Sequence, residues 1–190
     1  MARALRSWVV GLGVLLNAGM AQAERGSEVY ATVDGWEIRA ERDKSHCSME
    51  SWFTNKETGG TEGLLFLYYP HTESIVLSWG TSEDLGVPPN EYVDLAPHFH
   101  KPLGNGRSWL KRAFRHRQSR SDGMNYYIHV FKDPKETRRL LSDLSRYPIF
   151  VLYREDQVVA ALPLGTVSTI DKLRECTTGL PQSATSALTE

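Results

Sequence analysis

Most of the chain between residues 29 and 100 consists of short segments in which apolar and polar side chains alternate or apolar side chains run together. Residues 36–40 alternate strictly and follow the turn-forming pair Asp34-Gly35. Because successive side chains of a strand point to opposite faces, this pattern predicts two half-buried strands over 29–33 and 36–40. The same criteria predict further strands over 47–53, 64–69, 74–79, 126–131, 149–153 and 158–164.

Turn signals between these segments predict two more hairpins, one joining 64–69 to 74–79 and one joining 149–153 to 158–164. Residues 83–102 are richer in proline and polar side chains. We therefore expect a loop there, with a short strand over residues 92–95.

Two helices are predicted in the second half of the chain. Asp133 is a capping residue, Pro134 suits the first helical position, and Leu140, Leu141 and Leu144 then fall on one face. This helix should end before Tyr147-Pro148.

The second helix is expected to begin at Ser168, with Asp171 at the capping-box position. Ile170 and Leu173 then face a core, and Cys176 lies near the end of the helix.

Many short strands followed by two late helices predict a mainly β (α+β) fold. We expect an antiparallel β-sandwich or curled sheet, with the two helices of the C-terminal half packed on it. Trp36, Trp52 and Trp79 lie in predicted strands and are expected in the core or at its edge. The absence of an alternating βαβ pattern disfavours a doubly wound sheet. We expect one domain over 24–177 and a flexible tail over 178–190.

Residues 1–23 have the pattern of a signal peptide. Arg3 and Arg6 precede a short apolar stretch that is interrupted by glycines, and Ala21-Gln22-Ala23 supplies the small residues of a cleavage site. The apolar stretch falls short of the ~20 residues that a membrane-spanning helix needs. We therefore expect a periplasmic or secreted protein without a transmembrane segment in the mature chain.

The chain has two cysteines, Cys47 and Cys176. In an exported chain with no third thiol, a disulfide between them is the natural expectation. The alternative is a free nucleophilic or metal-binding thiol, which would have to be kept reduced.

Overall charge predicts no partner, since the formal net charge is −1 and loss of Arg3 and Arg6 with the leader changes it only to −3. The distribution is more informative, because the segment between Asp94 and Asp122 has no acidic residue and seven bases. These are Lys101, Arg107, Lys111, Arg112, Arg115, Arg117 and Arg120.

Bases interleaved with Trp109 and Phe114 suit an anionic surface, such as lipid phosphate, an acidic glycan or an acidic patch on a protein. Nucleic acid is not expected as the partner of an exported chain. The alternative is a solvated charged face with no dedicated ligand. Residues 109–117 fit both a helical turn and an edge strand.

The two ends of the mature chain resemble a known group of proteins. Val33-x-x-Trp36-x-Ile38 followed by Cys47, and Leu162-Pro163-Leu164-Gly165 leading into Ile170-x-Lys172-Leu173, look like small exported Gram-negative proteins. The invasion-associated locus B family is among them. The resemblance implies a β-rich exported domain with a role in the envelope or in host interaction, and it assigns no active-site residue.

Common catalytic signatures are missing from the sequence, including Gly-x-Ser-x-Gly, His-Glu-x-x-His, Cys-x-x-Cys and a phosphate-binding loop. We therefore expect no cofactor and, on balance, a binding protein rather than an enzyme. The rival prediction is a metal-dependent hydrolase that uses His98 and His100, which would point the same way on a strand, with His116 or Asp94 as a third ligand. A purely structural envelope subunit is the third alternative.

Overall fold

The computed structural model describes residues 27–42, 45–55, 58–101 and 113–180, together with the backbone of 107–108. The predicted signal peptide and residues 181–190 lie outside these ranges. The predicted tail begins inside them: the last helix continues to Thr178 and Leu180 is buried, so the folded body reaches residue 180.

The described residues form an antiparallel sheet and two α-helices, which confirms the mainly β fold class. The elements in chain order are β1 (Ser27–Val33), β2 (Trp36–Glu41), β3 (His46–Thr54), β4 (Thr61–Tyr69), β5 (Ser74–Thr81), β6 (Tyr92–His100), β7 (Arg107–Ser108), β8 (Phe114–Ser121), β9 (Met124–Phe131), α1 (Pro134–Leu144), β10 (Ile149–Arg154), β11 (Gln157–Pro163) and α2 (Val167–Thr178).

The strand order is β1-β2-β3-β4-β5-β9-β8-β6-β10-β11, and the short β7 pairs with β6 beside this path. The order has two ends, so β1 and β11 are edge strands. The predicted hairpins over 29–40, 64–79 and 149–164 are all present as neighbouring pairs. The remaining order depends on pairings between strands that are far apart in the sequence.

One face of the sheet, which we call the inner face, carries the core. Trp36, Ile38, Phe66, Leu77 and Trp79 point to this side and are almost fully buried. The core is one contiguous cluster that also includes Leu140, Leu141 and Leu144 of α1 and Ile170 and Leu173 of α2. The predicted apolar faces of both helices therefore pack on the sheet.

The start of α1 agrees with the sequence, because the Asp133 side chain accepts a hydrogen bond of 2.8 Å from the Lys135 amide. Helix α2 begins at Val167, one residue before the predicted start, and Thr166 precedes it. The Thr166 hydroxyl donates to the Asp34 carboxylate at 2.5 Å. The start of α2 is thus held by the β1–β2 turn, a distant contact that local capping rules do not include.

Strand β6 is longer than predicted. Residues 92–95 pair with β8, and residues 96–100 pair with β10. Pro97 lies beyond the last β6–β8 pair, where its missing amide hydrogen removes no bond to β8. The segment therefore continues as strand to His100 rather than becoming loop.

The opposite face of the sheet is here called the outer face. Trp52 lies there with 49% of its surface exposed, while Trp36 and Trp79 are 1% exposed. Trp52 lies flat over Gly63, where an added Cβ would stand only 2.4 Å from its ring. The prediction that the tryptophans lie in the core or at its edge is therefore confirmed for Trp36 and Trp79 and wrong for Trp52, which covers the opposite face of the sheet.

Candidate functional site

The basic segment is divided by the alternation of β8. Arg115 and Arg117 point outward and are exposed, whereas His116 and Gln118 point inward and are buried. Residues 114–117 are strand, and β8 lies between β9 and β6, so the helix and edge-strand alternatives are both wrong for these four residues. Residues 109–112 lie outside the described residues.

Arg115 and Arg117 lie together beside Tyr92 on the outer face. The guanidinium carbon of Arg115 is 4.5 Å from the centre of the Tyr92 ring, which is within cation–π range. Arg117 donates a hydrogen bond of 2.8 Å to the Asn90 side-chain oxygen. Neither arginine forms an ion pair with the described residues. Asp94 is the cross-strand neighbour of Arg115 on this face, whereas Arg117 lies opposite Tyr92 and Ile128 and has no carboxylate directly across from it.

Partly exposed apolar side chains continue this surface. Ile128 lies opposite Arg117 on β9, and Val130 follows on the same face with 40% exposure. We call Tyr92, Arg115, Arg117, Ile128 and Val130 the outer arginine surface. It combines two cations with apolar side chains that could contact the uncharged parts of a ligand.

The other predicted bases do not join this surface. Lys101 is exposed at the end of β6, with its ammonium 6.0 Å from the centre of the Tyr147 ring. Arg120 is at an inner-face position of β8 and lines a shallow pocket with Pro88 and Gln118. Only the backbone of Arg107 is described, in β7, and Lys111 and Arg112 lie outside the described residues.

The histidines do not assemble into a metal site. His98 and His100 share the outer face of β6, with ring centres 6.1 Å apart. Burial, and then the neighbouring His100, lower the pKa of His98. Of the two expected third ligands, His116 points to the inner face, and Asp94 shares the outer face of β6 with the two histidines. The described residues contain no group of three His, Cys, Asp or Glu side chains that could hold a metal ion.

His116 is buried on the inner face, and this burial determines the pKa of its ring. Its Nδ1 lies 2.7 Å from the Phe114 carbonyl oxygen, and the residue is fully buried. Burial is the main cause that lowers the pKa of His116 to about 4, and the nearby His129 acts in the same direction. The ring is therefore neutral at pH 7.

Cys47 and Cys176 are both buried, and their sulfur atoms are 1.98 Å apart, at disulfide distance. The bond joins β3 to the end of α2 across 129 residues of sequence. It leaves no free thiol, since the chain has only these two cysteines.

A cleft that sequence reasoning did not anticipate lies on the inner side, between β11 and the region where β3 ends and β4 begins. Its volume is about 710 Å³, and Glu62 and Glu83 contribute its charged side chains among the described residues. Glu62 stands two positions before the buried Leu64 and shares its face. The sequence signal for this cleft was Glu62, a charged residue at a position that alternation assigns to the core face. Nothing in the sequence identified Glu83 as its neighbour.

No protein-family model, curated protein or solved structure matches the chain. Neither helix among the described residues has the length and apolar character needed to cross a bilayer.

Proposed function

We propose that this protein is exported to the periplasm or the medium and works by binding, with the outer arginine surface contacting an anionic component of the envelope. The observation that carries this proposal is the pair Arg115 and Arg117, which are exposed side by side and form no ion pair with the described residues, although Asp94 lies opposite Arg115. The signal-peptide pattern and the resemblance to the invasion-associated locus B family support the location.

Guanidinium groups suit this role because they bind phosphate and carboxylate oxygens through paired hydrogen bonds. The Tyr92 ring stacked on Arg115 limits the freedom of that side chain, so less entropy is lost when an anion binds. Partly exposed Ile128 and Val130 add apolar contact area next to the charges. An acidic lipid headgroup beside acyl chains matches this combination of charge and apolar surface.

Binding to phosphatidylglycerol vesicles, measured by cosedimentation over a salt series, tests the proposal. Each arginine near an anionic membrane contributes about 1 kcal/mol, so the double variant Arg115→Ala/Arg117→Ala should bind about 30-fold more weakly. Binding of the wild type should also weaken with salt. Phosphatidylcholine vesicles should bind neither protein.

The matched control is the double variant Lys135→Ala/Arg146→Ala, which removes two exposed bases at and just beyond the ends of α1. It should bind phosphatidylglycerol like the wild type. Parallel titrations with dextran sulfate and polyglutamate distinguish a lipid partner from an acidic glycan or an acidic protein. Affinity for all three probes that is insensitive to salt and to the arginine substitutions would contradict the proposal and favour a purely structural role.

A further inference from the structure

The cleft on the inner side runs along an unpaired strand edge. Six consecutive residues of β11, from Val158 to Pro163, line it. Neighbouring side chains of a strand point to opposite faces, so a cleft that touches all six must follow the edge of the strand. Among the described residues β11 pairs only with β10, which leaves the amide and carbonyl groups of its other edge facing the cleft.

The opposite wall carries two carboxylates. Glu62 is 4% exposed, and its Oε1 accepts a hydrogen bond of 2.7 Å from the Asn55 side-chain amide. Its Oε2 is buried and has no hydrogen-bond partner among the described residues. A buried carboxylate oxygen without a hydrogen-bond partner raises the free energy of the folded protein unless a donor or a cation reaches it.

Glu83 is held in position by its backbone. Its amide donates to the Thr81 hydroxyl at 3.1 Å, and its carbonyl accepts from the Asn125 side chain at 2.9 Å. Its Oε1 is also buried without a hydrogen-bond partner among the described residues. The fixed backbone places this second acceptor in the same cleft as Glu62.

The remaining lining side chains of the cleft are uncharged. Phe53, Val159 and Leu162 provide apolar walls, and the described lining includes no basic residue. The complementary ligand therefore carries a positive charge on an apolar stem and hydrogen-bonding groups spaced like those of a strand. A lysine or arginine side chain within an extended peptide has all three properties.

We propose that this cleft binds an extended segment of a partner protein, which pairs with the edge of β11 and places a lysine or arginine side chain against Glu62 and Glu83. Addition of a strand to an exposed sheet edge is an established mode of peptide recognition. Backbone pairing with β11 supplies affinity without sequence preference. The two carboxylates select one basic position in the segment.

An array of immobilised pentapeptides tests this binding mode. The central residue is lysine, arginine, norleucine or glutamate, and the flanking residues are combinations of valine, threonine and serine. We expect retention of the protein by the lysine and arginine peptides about tenfold above their norleucine counterparts. For the best peptide, the NMR amide signals of Val158, Val159 and Ala161 should shift on binding.

Two single variants test whether Glu62 and Glu83 recognise the basic side chain of the peptide. Glu62→Gln and Glu83→Gln should each remove most of the preference for lysine over norleucine, while Glu91→Gln, at an exposed position outside the cleft, should leave it unchanged. Glu83→Gln keeps the test valid if the more buried Glu62→Gln variant does not fold.

Equal retention of lysine and norleucine peptides, or retention of no peptide in the array, would overturn the proposal. A third probe, n-butylammonium, separates the peptide from a small amine. If it binds as tightly as the best peptide and the β11 amides do not shift, the cleft is a small-amine site and the peptide proposal is wrong.

Discussion

Loss of the bond between Cys47 and Cys176 should strongly destabilise the fold. The bond closes a loop across 129 residues, so it removes a large amount of conformational entropy from the unfolded chain. The chain-entropy relation gives about 5 kcal/mol at 25 °C for a loop of this length. Retained structure in the unfolded chain would reduce this value, so it is an upper estimate.

The double variant Cys47→Ala/Cys176→Ala makes the perturbation without leaving a reactive thiol. A loss of about 5 kcal/mol corresponds to a fall in Tm of roughly 10–20 °C for a domain of this size. In urea, with a slope of about 2 kcal/mol/M, the midpoint should fall by about 2.5 M. Unfolding followed by tryptophan fluorescence and by far-UV circular dichroism measures both quantities.

The reduced wild type is the matched control, because it has the same sequence without the bond. Its free energy of unfolding should lie within about 1 kcal/mol of the double variant, the difference being the loss of two buried sulfur atoms. If the oxidised wild type is less than 1 kcal/mol more stable than both the reduced wild type and the double variant, the reasoning is refuted.

Two further predictions concern the sheet. Gly63→Ala should push Trp52 off the outer face, because the new Cβ would stand 2.4 Å from the indole ring, and tryptophan emission should then shift to the red. The control is Gly179→Ala, where the nearest atom to the new Cβ is 3.7 Å away, and it should leave the emission spectrum unchanged. His116 has a pKa of about 4 in the folded protein and about 6.5 when unfolded, so the unfolded chain binds more protons between these values and stability should fall as pH drops from 6.5 to 4. The loss attributable to His116 is up to about 3 kcal/mol, and urea titrations of His116→Gln should lack it; identical pH profiles for variant and wild type would contradict the assignment.

The elements themselves were largely predictable from the sequence, because their signals are local. Alternation over 36–40 and the capping set at Asp133-Pro134 identified β2 and α1 within a residue or two. The second half of β6 was not predicted, since its pairing changes from β8 to β10 between Leu95 and Ala96 and no local pattern in the sequence indicates such a change.

The arrangement of the candidate sites depends on contacts that the sequence pattern does not contain. Seven bases in one segment predicted a basic region, yet strand alternation sends Arg115 and Arg117 to the outer face and Arg120 to the inner side. Glu62 and Glu83 line one cleft because β11 lies opposite the region where β3 ends and β4 begins. Pairing between strands that are distant in the sequence determines which side chains come together. Neither hydrophobic periodicity nor residue spacing predicts that pairing.

The position of the two cysteines also fixes when the disulfide can form. In a chain that crosses a membrane from its N-terminus, Cys47 emerges early and waits until Cys176 has followed, 129 residues later. Under the proposed export, oxidation therefore requires that α2 has crossed the membrane and docked onto β3. A product truncated before Cys176 would keep an unpaired thiol at Cys47, so the covalent bond distinguishes chains that contain a docked α2 from those that lack it.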